Sequence, residues 1–239
     1  RYFDVTGTIF MPVTTPQQKI QKTTIFGGEN VSIQLVGDYY DDCLKAAQNF
    51  CQEQGAHFLS PFDDADVIEG QATVAVEIER QLGGTPDDIV LPVGGGGLSS
   101  GLLSYFGTTS QFTLVEPLGG ACLWAALIAG KPVKLDKVDT FADGAAVGQI
   151  GQRTFECLKS IGLANVLRIP EDRICITMLE MLNIEGIVLE PAGALAIDAL
   201  KDLGQMIRGR KVVCVSSGGN FDFERLPEVK ERAQRFAGV

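Results

Sequence analysis

The sequence is poor in the side chains that most catalytic chemistry uses. Its 239 residues include one histidine, His57, and one tryptophan. A Ser-His-Asp triad or a histidine-rich metal centre would have to rest on that single imidazole. A lone histidine in such a segment is ordinarily structural, so His57 receives no role. None of the cysteines (Cys43, Cys51, Cys122, Cys157, Cys175, Cys214) stands in a CxxC pair, and most lie in apolar surroundings. This argues against a disulfide framework or a zinc site, and for buried, reduced thiols in a cytoplasmic protein. No apolar run has the length of a membrane span. Basic residues are few: 20 against 30 acidic ones, for a net charge of −10. Neither nucleic acid nor a membrane is an expected partner.

Hydrophobic residues make up 45% of the chain, enough for a sizeable core, and glycine occurs 28 times. Strand and helix patterns alternate along the whole length, which predicts an α/β fold with mainly parallel sheets covered on both faces. Residues 8–12 and 30–36 read as strands. Thr15-Pro16-Gln17-Gln18 reads as a helix start, with Thr15 at the N-cap. Tyr40, Leu44, Ala47 and Cys51 recur at helical spacing, as do Val67, Gln71, Val74, Ile78 and Leu82 before Gly83-Gly84. Residues 57–60, 112–116, 166–169 and 212–216 read as further strands. The Pro61-Phe-Asp-Asp64 segment marks the expected boundary between a small α/β lobe over 1–62 and a larger lobe over 63–239.

One stretch carries most of the functional information. The apolar strand Asp88-Ile-Val-Leu-Pro-Val93 empties into Gly94, Gly95, Gly96 and Gly97, and Leu98 opens a helical pattern. Glycines at a helix N-terminus leave backbone N–H groups open to close approach, which suits an anion such as phosphate. A dinucleotide fingerprint fails at its last glycine, although Glu116 ends the next strand. A Walker A loop fails for want of a lysine after the glycines. A second glycine turn, Ser217-Gly-Gly-Asn220, follows another strand. Ligands in open parallel sheets bind beyond the carboxyl ends of strands.

Pro92-Val-Gly-Gly-Gly-Gly-Leu98, Val115-Glu-Pro117, Phe141-Ala-Asp-Gly144, Glu190-Pro-Ala-Gly-Ala194 and Ser217-Gly-Gly-Asn220 occur in the order found in threonine dehydratases. The chain resembles that family of biosynthetic threonine deaminases over nearly its whole length. The resemblance implies a three-layer, fold-type II architecture, tryptophan synthase β-like and here partial, with pyridoxal 5′-phosphate as cofactor. It implies that Gly94, Gly95, Gly96, Gly97 and Leu98 seat the phosphate. Ser217 would face the pyridine nitrogen, and Asn220 would order that turn. Glu190 is either a neighbour of the site or a cap of the following helix. The implied reaction is deamination of L-threonine to 2-oxobutanoate and ammonia, with L-serine a secondary substrate, in a homo-oligomer.

Four departures qualify the resemblance. The family's lysine that bonds the cofactor aldehyde lies in a Ser/Phe-Lys-x-Arg context, and none of the ten lysines here has it. A Ser-x-Gly-Asn-His motif is also absent. The chain therefore reads as a fragment of a larger enzyme, with no catalytic residue of its own and no lyase activity alone. Lys19, Lys22 and Lys45 read as solvated helix residues. Ala72 stands where the family has glycine, and Cys122 stands where racemase-like members carry an acidic cation ligand. A thiol is a poor ligand for a hard divalent cation, so no metal is expected. The competing readings are a serine dehydratase or racemase, a non-catalytic binding module of the same fold, and a nicotinamide-dependent dehydrogenase.

Overall fold

The computed structural model describes residues 2–38 and 40–238. They form two compact units that divide between Leu59 and Ser60. In the first unit, β1 (Gly7–Met11) pairs in parallel with β2 (Val31–Leu35), in the register Gly7↔Val31 to Met11↔Leu35. The connection runs through α1 (Gln17–Gly27), as parallel pairing requires a crossover. That helix starts one residue later than expected. Pro16 occupies the N-cap with an extended backbone and the end has no side-chain cap, so Thr15 does not cap it. α2 (Tyr40–Gln54) packs on β1, and Phe10 meets Phe50 edge-on at 5.6 Å. Gly55, at φ +63°, ends α2. The strand expected over 57–60 does not form: the backbone there makes no ladder, and His57 is exposed.

The second unit is a four-stranded parallel sheet in the order β5-β4-β3-β6. Its strands are β3 (Asp88–Pro92), β4 (Gln111–Pro117), β5 (Val166–Ile169) and β6 (Val212–Cys214). All of β3 is buried. Alternate side chains explain why: Ile89 and Leu91 enter one core layer and Val90 the other. Phe112 and Leu114 against Val115 split β4 the same way. One layer holds α3 (Ala65–Leu82), α4 (Gly97–Phe106), α5 (Cys122–Ala129) and α6 (Gln152–Leu158). The other holds α7 (Glu171–Glu180), α8 (Pro191–Leu203) and α9 (Leu226–Ala237). This is the three-layer α/β architecture expected from the alternating pattern.

α3 is closed at both ends by its own sequence. The Asp64 carboxylate accepts from Asp66 N–H at 2.8 Å and Val67 N–H at 3.3 Å, and Gly83 ends the helix in the left-handed region. α3 and α4 approach to backbone contact at Gly101, where a Cβ would lie 2.7 Å from Ala72 N and Ile68 O. Gly101 provides the space for this contact with the α3 backbone. Among the described residues, no helix is long and apolar enough to cross a membrane.

Candidate functional site

The sheet order brings the two glycine turns together. β3 and β6 are neighbours running the same way, so both release the chain at one end of the sheet. Val93 N–H still reaches Val115 O at 2.8 Å and Val215 N–H reaches Val90 O at 2.9 Å before the two turns begin. Gly94 to Ser99 from one strand end and Ser217 from the other line a cleft of about 340 Å³. Pro61, Phe62, Gln71, Gly144, Ala145, Val147 and Ala192 complete its walls. The size is that of a small-molecule site.

Each glycine of the first turn is glycine for its own reason. A Cβ on Gly94 would lie 3.0 Å from Ala145 Cα, and one on Gly95 would lie 2.2 Å from the Phe62 ring. A Cβ on Gly97 would lie 3.2 Å from Phe62 Cα. Gly96 has φ +91°, and its Cβ would meet Thr154 at 2.9 Å. Gly96 is also the N-cap of α4, and that helix has no side-chain cap. The first-turn N–H groups of α4 therefore meet the cleft with no intrahelical acceptor, at the positive end of the helix dipole. A close-walled backbone cradle at an uncapped helix start fits a phosphate.

The segment 61–64, read from sequence as a lobe boundary, is part of the cleft wall. While Asp64 caps α3, the neighbouring Asp63 caps α6. Its carboxylate accepts from Gln152, Arg153 and Thr154 N–H at 3.0, 2.8 and 3.1 Å. Consecutive aspartates bound to two helices hold Phe62 against the glycine loop. A Cβ on Gly151 would lie 2.4 Å from Asp63 Oδ1, so the approach depends on that glycine as well. Thr154, fully buried, donates from Oγ1 to Gly95 O at 2.7 Å. Sequence reading missed this because Asp63 and its partners are about ninety residues apart.

The second turn packs against the start of α8. A Cβ on Gly193 would lie 2.2 Å from Gly218 O, and one on Gly218 would lie 2.2 Å from Glu190 Oε1. Glu190 occupies the N-cap position of α8 but makes no side-chain cap hydrogen bond. Its carboxyl lies instead against Gly218 and Gly144, beside the cleft. Ser217 is exposed in the cleft wall; Asn220 is exposed and is not one of the residues lining the cleft. None of the lining residues is a lysine. Lys19 and Lys22 are half-buried in the first unit rather than fully solvated, while Lys45 is exposed.

Two buried acids or thiols sit behind the loop. Glu116 has no exposed surface and accepts from Leu123 N–H at 2.7 Å and Trp124 N–H at 2.9 Å. It caps α5 rather than facing a ribose. Burial pushes its carboxyl up to about 7, and the two backbone donors only partly oppose this. Cys122, also fully buried, contacts Gly94 O through Sγ at 3.4 Å. Burial first, and then the Glu116 charge, raise its thiol far above the ordinary range, so it stays protonated. Among the described residues no group of three or more His, Cys, Asp and Glu is placed to hold a metal ion.

Residues 1–218 match the family described as pyridoxal-phosphate dependent enzyme. The chain belongs to that family. Among its curated relatives is the biosynthetic L-threonine dehydratase IlvA of Bacillus subtilis, 43% identical over 242 residues. That alignment takes in 100% of this chain and 57% of the relative, so the chain spans little more than half its relative's length. Among solved structures, the processed threonine deaminase isoform 2 of Solanum lycopersicum superposes with a TM-score of 0.84 at 35% identity. It covers 95% of this chain and 66% of that one. A maize serine racemase reaches the same TM-score at 24% identity, covering 100% of this chain and 73% of that one, and shares the fold. The cofactor of that family, pyridoxal phosphate, carries a phosphate. The uncapped α4 start and the glycines that leave no room for side chains are consistent with that group.

Proposed function

We propose that the protein carrying this chain is a pyridoxal phosphate-dependent threonine dehydratase, releasing 2-oxobutanoate and ammonia from L-threonine. The observation that carries this reading is the joining of two glycine turns, from neighbouring strands, in one cleft. The threonine dehydratase and threonine deaminase relatives supply the substrate class. L-serine, one methyl smaller, is the expected secondary substrate.

When bound, pyridoxal phosphate supplies the electron sink that acidifies the substrate's Cα–H and lets the β-hydroxyl leave. Gly94 to Gly97 and Leu98 hold the phosphate with backbone N–H groups. Ser217 offers the pyridine nitrogen a neutral hydroxyl, which leaves that nitrogen largely without a full proton. A neutral hydroxyl rather than a carboxylate at Ser217 would suit β-elimination over chemistry that needs prolonged carbanion stabilisation. Asn220 orders the turn that presents Ser217. Glu190, wedged between Gly144 and Gly218, keeps the ring side of the cleft in register with the phosphate side. The lysine that bonds the cofactor is assigned to the part of the relatives' length that this chain does not span. The protein works in the cytoplasm as a homo-oligomer.

The deciding experiment offers L-threonine and L-serine to the full-length protein and measures ketoacid release. Threonine turnover exceeding serine turnover supports the reading. Racemised serine with little ketoacid would replace it with the racemase reading. A folded protein that binds no pyridoxal phosphate would leave a binding module of this fold.

A further inference from the structure

We propose that Thr154 and Asp63 are positioning residues that hold the glycine loop in its phosphate-binding form. The inference rests on the assignment of that loop as the phosphate seat. It concerns side chains behind the loop that touch neither cofactor nor substrate, since neither Thr154 nor Asp63 lines the cleft.

The argument begins with peptide geometry. In a planar trans peptide the C=O and the following N–H point in opposite directions. The Thr154 hydroxyl holds Gly95 O at 2.7 Å on the side of the loop away from the cleft. The N–H of Gly96, in the same peptide plane, is thereby aimed toward the cleft. Cys122 acts the same way on the preceding peptide, more weakly, through its 3.4 Å contact with Gly94 O. Glycine peptides rotate more freely than any others, so without these anchors the loop has many orientations to lose on binding. Holding the carbonyls from behind removes that cost before the anion arrives.

Asp63 fixes the anchor itself. Thr154 N–H, at the third position of α6, donates to Asp63 Oδ1 at 3.1 Å, together with the N–H groups of Gln152 and Arg153. The same segment places Phe62 on the other side of Gly95. The loop is thus gripped between Phe62 and Thr154, Thr154 being set by Asp63 and Phe62 by Asp63 and Asp64 together.

The test uses the full-length apoprotein and compares the affinities of pyridoxal phosphate and pyridoxal by cofactor fluorescence. The two ligands differ only in the phosphate, so their ratio reports the seat. Thr154→Val keeps the shape and removes the hydroxyl. It should weaken pyridoxal phosphate about tenfold, the effect of one lost hydrogen bond, while pyridoxal changes less than about twofold. Thr154→Ser, which restores the donor, should return the ratio to the wild-type value. Asp63→Ala should move the ratio in the same direction as Thr154→Val. Asp198→Ala removes a buried carboxylate that accepts from Arg173 and Thr177 away from the cleft and serves as the control: it should lower Tm without changing the ratio.

A folded Thr154→Val protein with the wild-type ratio overturns the proposal, as does an equal change in the ratio for Asp198→Ala. If Asp63→Ala does not fold, the valine and serine variants carry the test alone. A wild-type protein that binds pyridoxal as tightly as pyridoxal phosphate would instead overturn the phosphate seat at the loop. That result is separate from any variant.

Discussion

Gly95→Ala isolates the steric argument for the glycine loop better than any other single change. Gly95 does not have a positive φ, so alanine brings no backbone strain. The whole effect must come from the added methyl, which would lie 2.2 Å from two carbons of the Phe62 ring and 2.6 Å from a third. An ordinary contact begins near 3.4 Å, so ring and loop must part by about 1 Å. Phe62 cannot easily yield, because Asp63 and Asp64 fasten the segment to α6 and α3. Overpacking of this kind costs about 1–3 kcal/mol. For a unit of this size that corresponds to a fall in Tm of roughly 2–4 °C per kcal/mol. The loop moves with the methyl, so affinity for pyridoxal phosphate should fall at least about tenfold. Thermal unfolding and cofactor titration of the variant measure both effects. The decisive control is Gly95→Ala combined with Phe62→Ala, which empties the space the methyl needs. Its loss of stability should be smaller than the sum of the two single losses. Additive losses, or a Gly95→Ala protein with wild-type Tm and cofactor affinity, would refute the reasoning.

Ser217→Ala should cost the bound cofactor about 1 kcal/mol of ring contact and lower kcat, leaving the phosphate-to-pyridoxal affinity ratio unchanged; a changed ratio would place Ser217 elsewhere. Asp198 has no exposed surface and accepts from Arg173 at 2.6 Å and Thr177 at 2.6 Å, so Asp198→Ala removes an acceptor from both donors. Because Arg173 keeps its pair with Asp202, urea unfolding should show a loss of about 2–3 kcal/mol rather than the full cost of an unpaired buried charge. Glu116 carries a folded-state pKa of about 7, above its ordinary 4.5, so the folded state holds a proton that the unfolded state releases. Its stabilising contribution is therefore complete below pH 4.5 and is lost as pH rises through 7. The difference in urea midpoint between wild type and Glu116→Gln should change by roughly 3 kcal/mol equivalent across that window, and a flat difference would contradict the burial argument.

The fold was legible because its elements obey local rules. Strands 88–92, 111–117 and 166–169 are short apolar runs bounded by turns, and α3 announces both of its ends with Asp64 and Gly83. Errors fell where local signals compete. Thr15-Pro16 has the composition of a capping box, yet Pro16 itself takes the cap position. Residues 57–60 are extended in composition but have no neighbouring strand with which to share a ladder.

The site divides along the same line. Its glycines were legible because glycine clusters are costly in the backbone and rarely accidental. What makes them necessary was not. Phe62 over Gly95, Thr154 behind it and Glu190 against Gly218 are contacts between residues some 28 to 59 positions apart, each with an ordinary local role. Asp63 reads as part of a lobe boundary, and Glu190 reads as either a neighbour of the site or a helix cap. Only the sheet order, which sets the ends of β3 and β6 side by side, turns them into walls around one cleft. Motifs in sequence thus marked where the backbone comes close. The topology determined what it comes close to, and the tightness of that approach is what the loop variants measure.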